Sequence, residues 1–426
     1  MQASNVSFAN HVERAGFSTW VEKQLLTLMF RTIGPAPVGL AVGKRNSVIP
    51  PGVVPKFTVK FHDLRTVAEV LIDPETAFGD GWTKGRIQVV GDLTAFLEAL
   101  YASLGEVNNG VGMWSRLRSQ WTDRLQANTL EGSRDNIHAH YDLGNQFYRL
   151  WLDSQMVYTC AYFSSPSVPL EDAQVAKMNY VCRKLRLQPG ETVLEAGCGW
   201  GALAMHMAQN YGVRVKAFNI SREQISYALQ RASELNLGDR AEFIEDDYRN
   251  VTGTFDAFVS LGMLEHVSRE DYRQLGGVIH RSIGDRGRGL LHFIGRSAQF
   301  PFSRWIRKRI FPGAHAPSLR EALEVLEPFD YFVQDIEDLR IHYARTVEHW
   351  LHRFEKSSEQ ISTLYGSEFE RAWRLYLAGS IAGFRTGTLQ LFQIVFAGAK
   401  FKPAPWTRAH LYCSSQKNTT CTPTTF

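Results

Sequence analysis

The chain has 426 residues, of which 44% are hydrophobic, 12% aromatic and 21% charged. This length and composition suffice for a full core plus a second, smaller domain, and they exclude a largely disordered chain. The formal charge of +4 is too small to favour nucleic acid as a partner.

The cysteines and the apolar tracts bear on metal binding and location. The five cysteines form no CxxC pair and no Cys/His spacing typical of zinc, so we predict no metal site and a reducing, cytoplasmic location. The N-terminus lacks the apolar stretch of a secretory signal. The longest apolar tract, residues 377–399, is interrupted by Arg385 and falls short of the about 18 apolar residues of a spanning helix. Membrane contact is therefore expected to be peripheral, at the inner face.

The first part of the chain mixes helical and strand patterns. Apolar periodicity predicts helices at Trp20–Ile33 and 92–104, and strands at 37–42 and 56–61. No catalytic motif occurs there. The segment 115–134 is polar and rich in Arg, Gln and Ser, which predicts a linker or an exposed helix.

From about residue 135, strand patterns alternate with helical ones, which is typical of a parallel sheet with helices on both faces. Ser221 and Gln224 have the spacing of a capping box at the start of a helix. The tail after Lys402 is polar and unpatterned, and is predicted to be loose. The predicted strands cover residues 192–195, 213–219, 242–245, 255–260 and 289–294.

A glycine-rich turn follows the first of these strands, in the run VLEAGCGWG at 193–201. Glycine permits a sharp turn and the close approach of a ligand. The spacing GxGxG is tighter than the dinucleotide motif, and no P-loop lysine follows. Taken alone, such a turn fits a plain strand-to-helix connection equally well. Its context adds Glu195 before the turn, Asn219 at the end of the second strand, and Asp246-Asp247-Tyr248 after the third.

This arrangement resembles the Rossmann-like methyltransferases, whose ligand lies at the carboxyl ends of the strands. The resemblance implies that S-adenosylmethionine binds with its amino-acid part at the glycines, its ribose at the second strand end and its adenine at the third loop. Asn219 and Gln224 would contact the ribose, although many relatives have an acid there. The implied cofactor-binding residues are Tyr158, Thr159, Gly197, Gly199, Gly201, Asn219, Ile220, Gln224, Asp247 and Tyr248.

Further segments make the resemblance specific: HYDLGN at 140–145 with YTCAY at 158–162, GMLEH at 262–266 and LLHFIG at 290–295. Together with the glycine turn they resemble the cyclopropane synthase family, from about residue 136 to 398. The resemblance implies an α/β fold, with a Rossmann-like class I methyltransferase domain built on a mostly parallel seven-stranded sheet. The implied units are a smaller α+β N-terminal domain for lipid or membrane docking (1–130), the catalytic domain (131–402) and a loose tail (403–426).

The family's chemistry transfers a methylene group from S-adenosylmethionine to the cis double bond of an unsaturated phospholipid acyl chain. The carbocation formed on the way needs a dry pocket and a base that it does not alkylate. In the family this base is understood to be a bound bicarbonate ion. Its holders here would be Cys160, Glu265, His292, the backbone of Ile294, and Tyr343.

Each of these residues also has a structural interpretation. A buried cysteine such as Cys160 commonly acts as a small apolar residue, and Glu265 could be paired in a salt bridge. His292 lies in an apolar strand, where a histidine is often a core residue, and Tyr343 could simply pack. His138, His140 and His266 are interpreted as structural or positioning residues.

The segment 300–311 interleaves aromatic and aliphatic residues with Arg304, Arg307, Lys308 and Arg309. This pattern predicts a short interfacial helix at a membrane, and a solvated basic face on a core helix is the alternative. The predicted partner is the phospholipid acyl chain at the membrane surface, and whether the chain forms a homodimer is left open.

Other functions stay open at this point. One alternative is an acyl-chain methyltransferase that gives a methyl-branched or methylene product, and another is a lipid-binding relative without activity. Nucleic-acid methylation is disfavoured, because the chain lacks an Asn/Asp-Pro-Pro-aromatic motif and carries a modest charge.

Overall fold

The computed structural model describes residues 20–45, 47–108, 143–297, 302–401 and 405–412. The predicted linker at 115–134 lies outside the described residues. The same holds for His138, for His140 and for the predicted domain boundary at 130/131.

The N-terminal unit, residues 20–108, contains a three-stranded sheet and four helices among its described residues. Strand β1 (Val38–Val42) pairs in parallel with β2 (Phe57–Phe61), which pairs antiparallel with β3 (Ile87–Val90). The helices are α1 (Trp20–Ile33), α2 (Leu64–Ile72), α3 (Pro74–Thr83) and α4 (Leu93–Asn108).

The structure confirms both helices and both strands predicted in this unit, and it adds β3, α2 and α3. The added helices begin at short polar caps rather than at long apolar repeats. The Asp63 carboxylate accepts a hydrogen bond from the Thr66 backbone N–H at 2.8 Å, and Asp73 caps α3, which opens with Pro74.

The C-terminal unit is built on a seven-stranded sheet in the order β6-β5-β4-β7-β8-β10-β9. The five strands β4 to β8 are parallel, and each end lies within two residues of its predicted position. The predicted mostly parallel sheet is therefore confirmed. The strands are β4 (Thr192–Ala196), β5 (Arg214–Asn219), β6 (Ala241–Glu245), β7 (Ala257–Leu261), β8 (Arg288–Arg296), β9 (Phe332–Asp338) and β10 (Leu389–Ala397).

Helices cover both faces of this sheet. Met178 and Leu203 belong to one apolar cluster, whereas Leu275 and Ile279 belong to another. The helices are α5 (Asn145–Arg149), α6 (Leu170–Leu185), α7 (Ala202–Tyr211), α8 (Arg222–Glu234), α9 (Tyr272–Ile283), α10 (Arg304–Arg309), α11 (Leu319–Leu323), α12 (Arg340–Lys356), α13 (Ser358–Tyr365) and α14 (Ser367–Thr386).

The apolar tract 377–399 is divided between two elements. Helix α14 ends at Thr386, Gly387 turns the chain at φ 78°, and β10 then runs antiparallel between β8 and β9. The sequence pattern did not predict β9 or β10. Within the described residues, no helix is both long and apolar enough to cross a membrane.

The two units pack against each other through α3, α4, α10 and α14. Leu97 of α4 and Leu377 of α14 belong to one apolar cluster. Asp73 pairs with Arg304 at 2.6 Å across the joint. At the chain's end, the buried Leu411 belongs to a short turn that contacts α6, while residues 403–404 and 413–426 of the predicted tail lie outside the described residues.

Candidate active site

Two adjoining cavities lie at the carboxyl ends of the parallel strands. The first, of about 150 Å³, is bordered by the glycine turn and by the ends of β5 and β6. The second, of about 390 Å³, extends toward the N-terminal unit. The two cavities share the wall residues Tyr158, Thr159, Gly262 and His266. A ligand in the first cavity would therefore meet a ligand in the second at this wall.

Gly197 and Gly199 of the glycine turn line the first cavity, whereas Gly201, also predicted to bind the cofactor, is not among the described residues that line it. Gly197, Gly199 and Gly201 have φ values of 80°, 54° and 83°, a backbone region that other residues adopt at a cost. A Cβ at Gly199 would meet no atom of the described residues within 4 Å, so it would project into open space. A Cβ at Gly201 would lie 2.6 Å from the Phe243 ring. Gly199 therefore keeps room at the cavity, whereas Gly201 lets α8 and β6 pack.

The end of the second strand presents amide groups to the first cavity. The Asn219 side chain donates to Gln224 Oε1 at 2.6 Å and to the Gly199 carbonyl at 3.3 Å. Gln224 Nε2 is buried and has no hydrogen-bond partner among the described residues. The predicted capping box is half formed: Ser221 Oγ accepts from the Gln224 backbone at 3.5 Å, but the Gln224 side chain bonds Asn219 instead of closing the box.

The loop after β6 supplies the other predicted nucleotide contacts. Asp247 and Tyr248 both line the first cavity, and Ile220 lies there too. Arg249 holds the Asp247 carboxylate through two side-chain bonds, at 2.8 and 2.9 Å. This pairing fixes the carboxylate while leaving acceptor capacity on its oxygens.

Two buried charged residues also line the first cavity, and neither was predicted as a site residue. Lys177 donates from Nζ to Thr159 Oγ1 at 2.9 Å, and burial lowers its pKa to about 8. Burial raises the pKa of Glu195 to about 8, and its Oε2 atom has no hydrogen-bond partner among the described residues. A buried ammonium and carboxyl with unused bonding capacity favour a ligand that carries both charges.

Glu265 marks the polar end of the second cavity. It lies in a short 3-10 turn, Leu264–His266, and its Oε1 atom accepts a hydrogen bond from the Ile294 backbone N–H at 2.6 Å. The other oxygen, Oε2, is buried and has no hydrogen-bond partner among the described residues. Burial raises the pKa of Glu265 to about 7, although the bond from Ile294 opposes the shift. A protonated Glu265 can therefore donate a hydrogen bond into the cavity.

His292 lies on β8, two residues before Ile294, and lines the same cavity as Glu265. Its cross-strand neighbour is Gln393 of β10, which is fully buried and bonds His292 Nδ1 at 3.0 Å through Nε2. Burial, and then the cations of Lys177 and Lys184, hold the pKa of His292 well below its usual value. With Gln393 as the donor, the neutral imidazole carries its proton on Nε2.

The structure brings together four of the five predicted base-holding residues. Glu265, His292, Ile294 and Tyr343 line the second cavity. Cys160 is fully buried and is not among the described residues that line either cavity. Its thiol donates to the Ala161 carbonyl at 3.2 Å, and burial raises its pKa. The geometry of Cys160 therefore fits its structural interpretation.

The rest of the second cavity is mainly apolar, and the described part of segment 300–311 forms one of its walls. Phe302, Ile306 and Phe311 line the cavity. Trp305 is buried against α3 and donates from its indole N–H to Asp80 at 3.2 Å. This ring lies inside the protein, contrary to the expectation that the segment's aromatic residues point into a membrane.

Lys177 and Gln393 could not be singled out from local motifs. Lys177 lies on the helical pattern before the glycine turn, where a lysine is ordinarily solvated. Gln393 lies in the apolar run of β10, and it contacts His292 101 positions away. The position of Gln393 as a polar residue inside an apolar run was the feature of the sequence that could have identified it.

The comparisons with known proteins cover most of the C-terminal unit. Residues 128–394 match the family model described as mycolic acid cyclopropane synthetase. The chain is 33% identical over 341 residues to a probable fatty acid methyltransferase of Pseudomonas putida, which covers 75% of this chain and 86% of that protein. It is 38% identical over 259 residues to the cyclopropane-fatty-acyl-phospholipid synthase of Escherichia coli, covering 61% of this chain and 66% of that protein.

A solved structure is also similar: the mycolic acid cyclopropane synthase CmaA1 complexed with SAH and CTAB. The two chains share 30% identity and superpose with a TM-score of 0.58. The match covers 62% of this chain and 97% of CmaA1.

Substitutions at Gly199 and Gly201 are expected to have different effects, the first mainly on ligand binding and the second mainly on stability. Gly199→Ala is expected to weaken binding of S-adenosylhomocysteine, the product of the cofactor predicted from the sequence, because its methyl group enters the cavity. The backbone strain should destabilise the fold by about 1 kcal/mol. Gly201→Ala is expected to lower the melting temperature more, because its methyl group overlaps Phe243. Calorimetric titration and thermal unfolding measure the two effects, and equal binding losses with equal stabilities would contradict this assignment.

Proposed function

Because the chain belongs to the mycolic acid cyclopropane synthetase family, we propose that it transfers a methylene group from S-adenosylmethionine to the cis double bond of unsaturated phospholipid acyl chains. The chain is an S-adenosylmethionine-dependent methyltransferase of the cyclopropane fatty acid synthase type. The observation that carries the finer proposal is the shared wall between a polar cavity at the glycine turn and a larger, mainly apolar cavity.

The first cavity fits S-adenosylmethionine by the chemistry of its unpartnered atoms. Glu195 and Lys177 offer bonding capacity for the ammonium and carboxylate of the amino-acid part. Gln224 Nε2 offers a donor for a ribose oxygen, as expected from the sequence. When bound, S-adenosylmethionine supplies the sulfonium methyl group that the double bond attacks, and the ring closes when that carbon loses a proton.

The second cavity fits a small anionic base held by neutral donors. Glu265 presents an unpartnered carboxyl oxygen, and His292 presents Nε2–H when Gln393 donates to its other nitrogen. Bicarbonate, when bound, supplies a base that is poorly alkylated by a carbocation. Neutral Glu265 and His292 can hold such an anion without a competing charge.

The chain's own residues orient the substrates and exclude water. Tyr158 and Thr159 border both cavities, and the Tyr158 hydroxyl bonds the Tyr376 hydroxyl at 2.9 Å. The apolar lining of the second cavity favours an acyl chain, since each buried CH₂ contributes about 0.8 kcal/mol. A dry lining also protects a carbocation from capture by water.

We also propose that the protein docks peripherally on anionic membrane at the opening of the second cavity. Pro74 and Glu75 line this cavity and are exposed, so the opening lies beside α3. Helix α10 packs on α3 and exposes Lys308. This cation supports attraction to lipid phosphates, while the apolar side chains of α10 face the cavity.

Lipid mass spectrometry with Glu265→Gln tests the proposed function. Cells that express the wild type should accumulate acyl chains heavier by one CH₂ that resist hydrogenation. The amide introduced by Glu265→Gln keeps an acceptor for the Ile294 N–H but cannot exchange a proton with a bound base. Turnover should therefore fall on the order of a hundredfold, while S-adenosylhomocysteine affinity stays unchanged.

The exposed Glu359→Gln is the matched control and should keep full activity. Wild-type lipids without the added CH₂ would refute the lipid substrate. A heavier product that is reducible would instead indicate a methylene group. Full activity of Glu265→Gln would remove Glu265 from the reaction.

Two ligands, one with and one without the amino-acid part, test whether Lys177 contributes to binding of that part. Lys177→Met is expected to weaken S-adenosylhomocysteine binding by about tenfold or more, because a buried charge-assisted hydrogen bond to the ligand carboxylate is lost. Binding of 5′-methylthioadenosine, which lacks the amino-acid part, should be nearly unchanged. Calorimetry measures both, and an equal loss for the two ligands would indicate a merely structural role.

Wild-type protein and Lys177→Met should also differ in how their affinity for S-adenosylhomocysteine depends on pH. The pKa of Lys177 is about 8 because of burial, so the ammonium is charged below this pH. Wild-type affinity for S-adenosylhomocysteine should fall as pH rises through 8, whereas the affinity of Lys177→Met should lack this component. The ligand's own amine titrates equally with both proteins, and Glu195, whose pKa burial raises to about 8, is present in both.

Vesicle co-sedimentation tests the docking proposal. Lys308→Glu is expected to lower affinity for phosphatidylglycerol vesicles about fivefold or more, since one basic residue near the surface contributes about 1 kcal/mol. Arg273→Glu reverses an exposed charge on α9 and serves as the control. Equal effects of the two variants would contradict docking through α10.

A further inference from the structure

The second cavity has walls from both units of the protein. Its reactive end is formed by Glu265, His292 and Tyr343 of the C-terminal unit. The N-terminal unit contributes residues of α3 and α4 to the same cavity: Phe78, Gly79, Leu97, Leu100, Tyr101 and Leu104. An acyl chain in this cavity would therefore contact the N-terminal unit directly.

Helix α14 lines the same cavity beside α4, with the large residues Leu375, Tyr376 and Phe384 and with three small ones. Gly379, Ser380 and Gly383 line the cavity, and α14 packs against α4. A Cβ at Gly379 would lie 3.4 Å from the Tyr101 hydroxyl. The shape of the cavity at this point therefore depends on the side chains of both α4 and α14.

The N-terminal wall is held in place by specific contacts. Asp80 pairs with Arg309 at 2.6 Å, and the Trp82 indole N–H donates to the Arg371 carbonyl at 3.0 Å. Gly79 lets Trp305 approach so closely that an added Cβ would lie 2.4 Å from the ring. A wall fixed by such contacts can discriminate between chains that differ in size.

This wall lies outside residues 128–394, which match the family model. The family model begins at residue 128, after α4. CmaA1 is matched over 97% of its length by 62% of this chain, so this chain carries additional residues. Acyl selection by α3 and α4 would be a property of those additional residues.

We propose that α3 and α4 form an acyl-selectivity wall, so that the N-terminal unit determines which acyl chains the enzyme modifies. The proposal rests on the proposed function, because it assigns the second cavity to the acyl chain. Leu100 is the most direct test position, since it lines the cavity and is only partly buried. A change of one or two methylene groups in an apolar pocket alters selectivity by about tenfold or more.

The experiment compares Leu100→Trp and Leu100→Ala on vesicles that contain equal amounts of palmitoleoyl and oleoyl phosphatidylglycerol. Leu100→Trp fills the cavity and should shift the product ratio toward the shorter palmitoleoyl chain by about tenfold. Leu100→Ala enlarges the cavity and should shift the ratio toward the oleoyl chain. Leu28→Trp, at a half-exposed position on α1, should leave the ratio unchanged.

Measuring S-adenosylhomocysteine binding distinguishes failure of this proposal from failure of the proposed function. Wild-type protein that binds this ligand but modifies neither acyl chain would refute the proposed function. A wild-type ratio in Leu100→Ala, with activity and ligand binding intact, would refute the selectivity wall. If Leu100→Trp fails to fold and loses ligand binding, the result with Leu100→Ala decides.

Discussion

The hydrogen bond from the Ile294 backbone to Glu265 is the contact on which the site depends. It ties the turn after β7 to the carboxyl end of β8, so the carboxyl group enters the cavity rather than solvent. The bond satisfies one oxygen and leaves the other facing the cavity without a described partner. The same short turn carries His266 into the wall shared by the two cavities.

Burial then determines which protonation states are available. A buried carboxylate and a buried imidazolium are both costly, so Glu265 and His292 are displaced toward their neutral forms from opposite directions. Gln393 also fixes the position of the proton on His292. Because Gln393 donates to Nδ1, the proton lies on Nε2, which can donate a hydrogen bond. Neutral groups that donate hydrogen bonds suit an anion inside an apolar cavity.

Local sequence patterns predicted the parallel half of the sheet well. Apolar strands separated by amphipathic helices have clear periods, and the glycine turn marks the end of β4. Strand β10 was missed because it follows α14 after a very short turn, so that helix and strand merged into one apolar tract. Long-range pairing of β10 with β8 separates them in the structure.

The site was predictable where its residues lie in compact motifs. Glu265 and His292 were predicted from the motifs around them and line the second cavity, whereas Gln393 and Lys177 reach the cavities' neighbourhood only through contacts made in three dimensions. The motif around Cys160 is present too, but its thiol donates to the Ala161 carbonyl and Cys160 is not among the described residues that line either cavity. A motif specifies a local arrangement, but folding decides which atoms face the ligand.

The need for a dry cavity explains why two units share it. Gly379, Ser380 and Gly383 leave one stretch of α14 with little side-chain bulk, while Leu375, Tyr376 and Phe384 of the same helix also line the cavity. Leu97 and Leu100 of α4 cover that side, and the ion pair between Asp73 and Arg304 holds the neighbouring joint. The joint between the units therefore encloses the cavity, since separating α4 from α14 would admit water beside Glu265 and His292.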